Sequence, residues 1–152
     1  MVTTAVDSVF VDTNVLVYSS LQLSPLHAVA IQSLDSLRQA GIELWISRQI
    51  LREYMATLTR PQATTLPSPA AAVVADVTAF QSLFHVAEDG PIVTSYLLNL
   101  LTTVPVAGKQ IHDANIVATM QVYGVRRLLT HNVGDFQRFA PFIEIVPLQL
   151  TP

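Results

Sequence analysis

The chain contains no cysteine. That absence excludes disulfides, thiolate metal sites and a cysteine nucleophile together. Charge is scarce as well, with 12% of residues charged against 51% hydrophobic. Apolar faces then outnumber what one copy can hide, so an oligomer, taken as a homodimer, or a standing partner is expected. Lys and Arg total only 8 and the net charge is −3, so the broad basic footprint of a polyanion binder is missing. The N-terminus has no basic stretch leading into an apolar core, hence no secretory signal, and a cytoplasmic location is expected. The uncharged stretch 90–108 is the segment closest to a membrane span. Its apolar residues Ile92, Val93, Tyr96, Leu97, Leu100, Leu101 and Val104 follow an i, i+1, i+4, i+5 rhythm. Ser95, Asn99, Thr102 and Thr103 lie opposite, which predicts an amphipathic helix rather than a membrane helix.

What is present is an alternation of short apolar runs and helical periods. Strands are predicted at 9–11, 44–46, 127–130 and 143–146, with a weaker one at 84–87. Helices are predicted at 26–39, closed by Gly41, at 47–59 with Ser47 as N-cap, at 69–83, and at 113–123, stopped by Gly124. The stretch 61–69, rich in Pro, Thr and Ser, reads as a loop and not a domain boundary. Strands alternating with helices imply a central parallel sheet covered on both faces. The expected fold is therefore a three-layer α/β/α sandwich, a single domain over residues 1–152.

In an open parallel sheet, functional groups gather at the carboxyl ends of strands and the adjoining helix starts. Asp12 ends the first strand, Asp135 follows the strand at 127–130, Asp113 opens an apolar helix, and Glu53 lies on the helix after the second strand. Each has an ordinary explanation: Asp12 and Asp113 as helix caps, Asp135 as a turn or cap residue, Glu53 as a solvated helix residue. Glu53, however, has no Lys or Arg three or four places away, and it adjoins the apolar stripe Ile50, Leu51, Tyr54 and Leu58. Four carboxylates sharing a pocket repel one another unless a cation offsets them. With no Cys and no His-x-x-x-His pair, an oxygen-only ligand set selects a hard ion, Mg²⁺ or Mn²⁺. Such an ion binds phosphate oxygens, so phosphate esters are the natural substrate class.

Four segments carry these acids in order: Val-Asp-Thr-Asn-Val-Leu-Val-Tyr (11–18), Ser-Arg-Gln-Ile-Leu-Arg-Glu-Tyr (47–54), Ile-His-Asp-Ala-Asn-Ile-Val-Ala-Thr (111–119) and Leu-Thr-His-Asn-Val-Gly-Asp-Phe (129–136). They resemble the four acidic motifs of PIN-domain ribonucleases and span nearly the whole chain. The short length resembles the VapC-type toxins of toxin–antitoxin pairs. The resemblance implies metal-dependent hydrolysis of RNA phosphodiesters, with Asp12, Glu53 and Asp113 as core catalytic metal ligands. It also implies a cognate antitoxin as partner. For the fourth position it admits Asp135 as the acid, with Asn132 as a neutral ligand or positioning group. Thr13 and Asn14 fall inside the first motif and are possible substrate or positioning residues. The chemistry such an ion supplies is activation of water and stabilisation of charge on the leaving oxygen.

Arg48, Arg52, Arg60 and Lys109 fall near acidic motifs and are candidate phosphate contacts, each with a plain solvated cation as the alternative. His27, His85, His112 and His131 are too scattered to nominate a catalytic pair, but His112 and His131 flank acidic motifs and are candidate substrate contacts, with a structural role as the alternative. A phosphorelay receiver is disfavoured because Asp113 opens a helix and the strand at 127–130 ends on Thr130. A haloacid-dehalogenase-like phosphatase is disfavoured because Asn14 stands where a second Asp is needed. A non-catalytic PIN-like binding module is the remaining rival. The apolar runs Val15, Leu16, Val17, Tyr18 and 96–101 are read as core before contact surface.

Overall fold

Among the described residues, short runs of β-branched, aromatic and aliphatic residues form five strands: β1 Ser8–Val11, β2 Glu43–Ser47, β3 His85–Ala87, β4 Arg127–Thr130 and β5 Glu144–Pro147. All neighbours pair in parallel, in the order β3-β2-β1-β4-β5. The structure, a computed structural model, describes residues 6–61 and 65–149. Parallel strands must be joined by crossovers, and among the described residues seven α-helices supply them: α1 Thr13–Ser20, α2 His27–Gln39, α3 Arg48–Thr59, α4 Ala70–Leu83, α5 Pro91–Leu101, α6 Gln110–Tyr123 and α7 Val133–Phe136. The expected α/β/α sandwich with a central parallel sheet is the fold observed.

The chain builds outward from β1 through β2 to β3, then returns to place β4 on the other side of β1 and β5 beyond it. Right-handed crossovers put α1 to α4 on one face and α5 to α7 on the other. The packing agrees: α1 meets α2 and α3, α3 meets α4, α5 meets α6, and α6 meets α7. Covered on both faces, β1 buries Val9, Phe10 and Val11 alike. Val15, Leu16 and Val17 of α1 join the same core, while Tyr18 is partly buried against it.

Helix ends follow local chemistry. The Asp12 carboxylate accepts from Thr13 N at 2.8 Å and opens α1, and Ser47 Oγ accepts from Ile50 N at 3.3 Å at the start of α3. Gly41 and Gly124 take φ of +77° and +70°, the left-handed conformation that ends α2 and α6. Two helix boundaries differ from expectation by more than a residue. The helix predicted over 90–108 stops at Leu101, where the Thr102 and Thr103 hydroxyls donate back to Asn99 and Leu100 carbonyls and Pro105 follows. The apolar rhythm runs on because Val104 is buried from a loop. The helix predicted to start at Asp113 starts at Gln110, so Lys109, not Asp113, stands at its N-cap. Of the loop expected at 61–69, residues 62–64 lie outside the described residues, and Ser68 N donates to Leu58 O at 2.8 Å.

The apolar surplus is visible on α4 and α5, where Val74, Leu83, Ile92, Tyr96 and Leu98 are exposed. The run 96–101 is thus divided: Leu100 is core, whereas Tyr96 and Leu98 face out. Among the described residues no helix is long and apolar enough to cross a membrane.

Candidate active site

Strand order reverses between β1 and β4, and the carboxyl ends of these two strands are where an open parallel sheet leaves a crevice. Val11 pairs with Leu129, so the next residues, Asp12 and Thr130, leave the sheet side by side. Asp12 N donates to Leu129 O at 3.0 Å, and Thr130 Oγ1 donates to Asp12 Oδ2 at 2.7 Å. Asn14 completes the junction: Nδ2 donates to Asp12 Oδ2 at 3.0 Å, and Oδ1 accepts from His131 N at 3.1 Å. Asn132 N donates to Thr130 Oγ1 at 3.0 Å, which ties the turn after β4 to the same hydroxyl.

Glu53 enters from α3 and is held on both oxygens. Thr13 Oγ1 donates to Oε2 at 2.7 Å, and Gln49 Nε2 donates to Oε1 at 2.7 Å. Asp113, in the first turn of α6, lies within range of Asp12, Asp135 and Glu53. Asp135 is exposed on α7, and its backbone N–H donates to Asn132 O at 3.1 Å. The four acids separated in sequence are thus brought to one place.

Their charges oppose one another. Asp12 is 5% exposed, and burial above all, with the Glu53 charge, pushes its carboxyl up to about 6 against the hydrogen bonds from Thr130, Thr13 N and Asn14. Asp113 is also pushed up to about 6, by burial first and then by the charges of Asp12, Asp135 and Glu53, with Arg138 opposing. The Tyr18 phenol is raised by burial and by the charge of Asp12. Among the described residues no three of His, Asp and Glu close tightly enough to enclose an ion by themselves.

The cations are distributed differently from the acids. Arg48 makes two hydrogen bonds to Glu88, at 2.8 and 3.2 Å, and one to Gln81 at 3.0 Å. Arg52 lies 3.8 Å from Asp89. Arg60 and Lys109 are exposed, and among the described residues neither forms an ion pair. The histidines stay apart: His112 is exposed on α6, His131 packs edge-on to Tyr18, His27 bonds the Tyr18 carbonyl, and His85 stacks on Trp45.

Sequence reasoning missed Thr130, Gln49, Asn115 and Arg138. Gln49 had a usable signal, since it lies four residues before Glu53 on one helix face. Asn115 is two residues beyond Asp113, inside the third motif. Arg138 carried no signal, because only folding sets its charge against Asp113.

The model of the PIN domain matches residues 9–140. Among curated proteins none matches the sequence. Solved structures similar in fold include VapBC2 from Rickettsia felis bound to a DNA fragment from its promoter, with 17% identity, TM-score 0.69, and 92% of this chain and 98% of that one covered. Mycobacterium tuberculosis VapC20, a sarcin–ricin loop cleaving toxin, is 18% identical with TM-score 0.67 over 91% of this chain and 99% of that one. VapBC-1 from nontypeable Haemophilus influenzae is 16% identical with TM-score 0.65 over 93% and 98%. With four acids gathered at the reversal of strand order and a domain match covering most of its length, the chain belongs to the PIN domain family.

Proposed function

We propose that the chain is a metal-dependent endoribonuclease, the toxin of a VapBC-type toxin–antitoxin pair, using Mg²⁺ or Mn²⁺ to hydrolyse RNA phosphodiester bonds. The observation that carries this reading is the convergence of Asp12, Glu53, Asp113 and Asp135, with the Asp113 carboxyl raised by burial first and then by the charges of the other three. Nothing in a folding-only account calls for four acids to share one crevice at a cost in repulsion.

The residues suit a hard, hydrated cation. Every acidic donor is oxygen, as Mg²⁺ and Mn²⁺ require, and an ion that retains part of its water shell needs no closed cage of carboxylates. Asp12, Glu53 and Asp113 would hold it, with Asp135 as the fourth acid and Asn132 as a neutral ligand or positioning group. Once bound, the ion supplies activated water and offsets charge on the leaving oxygen in an in-line displacement. Thr130 and Asn14 oppose the effect of burial on Asp12 by donating to its Oδ2, which favours the ionised carboxylate that a cation needs. Thr13 and Gln49 fix both oxygens of Glu53. Lys109, exposed at the start of α6, and Arg138 offer positive charge to phosphates, whereas Arg48 and Arg52 already face Glu88 and Asp89. His112 lies on the exposed face of α6 one residue before Asp113 and is available to substrate.

A cognate antitoxin and a second copy of the chain fit the exposed apolar residues of α4 and α5. The reading is tested by incubating purified protein with mixed cellular RNA in Mg²⁺, Mn²⁺ or EDTA beside Asp12→Asn and Asp113→Asn. Cleavage that needs metal and is lost in both folded variants is expected. Equal inertness of all three proteins across metals and RNAs, with any antitoxin removed, would leave a binding role instead.

A further inference from the structure

The helices that carry Glu53 and Asp113 meet through neutral side chains. Gln49, one turn before Glu53 on α3, is 7% exposed. Its Nε2 donates to Glu53 Oε1 at 2.7 Å and to the His112 carbonyl at 2.9 Å. Its Oε1 accepts from Asn115 Nδ2 at 2.7 Å. The reverse amide orientation would set oxygen against a carboxylate and a carbonyl, so the donors can only point this way. His112 and Asn115 flank Asp113 in α6, and Asn115 Nδ2 lies a further 3.4 Å from Asp89 Oδ2.

Gln49 therefore spends each amide hydrogen and its oxygen on a contact between α3 and the turn bearing Asp113, or on Glu53 itself. A buried amide used in this way is not called for by packing alone, since an apolar side chain of similar volume would fill the space, and Asn115 Nδ2 retains Asp89 as a second acceptor. What an apolar residue cannot do is hold the Glu53 carboxylate in one orientation relative to Asp113. Partners of ligating carboxylates tune metal affinity in this way.

We propose that Gln49 is a positioning residue that sets the affinity of the acidic site for its divalent ion by fixing Glu53 against Asp113, with Asn115 as its anchor. This rests on the metal-dependent reading above. The test is Mn²⁺ affinity, measured by calorimetry without RNA, for wild type, Gln49→Met, Asn115→Ala and Glu53→Gln, and for Gln49→Met combined with Glu53→Gln. Melting in EDTA establishes that each variant is folded. Gln49→Met is expected to weaken Mn²⁺ binding by about 10–100-fold, and Asn115→Ala to weaken it less. Because Gln49 acts through Glu53, Gln49→Met should add less than about twofold in the Glu53→Gln background. If Gln49→Met does not fold, Asn115→Ala carries the comparison.

Wild type that binds no Mn²⁺ overturns the ribonuclease reading and this proposal with it. Wild type that binds Mn²⁺ while the folded variants bind equally well overturns this proposal alone. So does an undiminished loss in the Glu53→Gln background, which would make Gln49 a general structural residue.

Discussion

Thr130 donates its hydroxyl proton to Asp12 at 2.7 Å across the junction of β1 and β4, with both side chains sealed from solvent. One neutral donor thus opposes the burial that drives the Asp12 carboxyl up. Thr130→Val keeps the shape and removes the donor, and it also strips Asn132 N of its acceptor. A loss of about 2 kcal/mol in urea unfolding is expected, the scale of a hydrogen bond to a charged group. The acid limb of the activity profile should move to higher pH. Thr130→Ser should preserve both quantities.

Among the described residues the Asp113 carboxylate has no hydrogen-bond donor, and burial and three neighbouring acids disfavour its charge. Asp113→Asn should therefore abolish metal-dependent cleavage while making the metal-free protein more stable at pH 7.5. At a half-buried position screened by solvent the gain is on the order of 1 kcal/mol. For a chain of this size that is about 2–4 °C in Tm, read by thermal melting in EDTA. A lowered Tm would show that Asp113 serves the fold.

The pH response of the metal-free protein follows from the same two groups. Asp12 and Asp113 titrate near 6 in the folded state, above their value in the unfolded chain. Their contribution to stability is fully present below the unfolded value near 4 and is lost as pH rises through 6. The Tm advantage of Asp113→Asn over wild type should accordingly shrink between pH 7.5 and pH 5. Metal binding runs the other way, because ligands must be deprotonated, so Mg²⁺-dependent activity should fall below pH 6.

Arg48 and Lys109 should differ as RNA contacts. Arg48 is engaged by Glu88 and Gln81, whereas Lys109 is exposed at the N-cap of α6. Lys109→Ala should weaken RNA binding and lower the salt slope of log K by about 1, as loss of one phosphate contact does. Arg48→Ala should leave the slope unchanged. Filter binding to inactive Asp12→Asn protein at several salt concentrations distinguishes the two.

Much of the architecture was legible in sequence because strands here are short apolar runs with clear punctuation. Val9, Phe10 and Val11 could only be a fully covered strand, and Gly41 and Gly124 mark helix ends by their backbone freedom. The end of α5 was not legible, since Val104 continues the apolar rhythm from a loop, and only the hydroxyls of Thr102 and Thr103 and the Pro105 ring mark the stop. The acids proposed for the site were legible by motif. Their neutral supports did not: Asn115 meets Gln49 across 66 residues of chain and Thr130 meets Asp12 across 118, distances over which no local pattern speaks.

The pairing of Arg48 with Glu88 and of Arg52 with Asp89 offsets two of the cations near the acidic motifs, which weakens the positive field that draws a polyanion from a distance. On the ribonuclease reading, the ion becomes part of the surface the RNA meets, and the two ligands are thermodynamically linked. Whatever factor the metal adds to RNA affinity, RNA must add to metal affinity. The chain would then behave as a coincidence detector: at divalent concentrations below saturation it ignores most of the RNA it encounters, and a well-fitting RNA recruits the ion that destroys it.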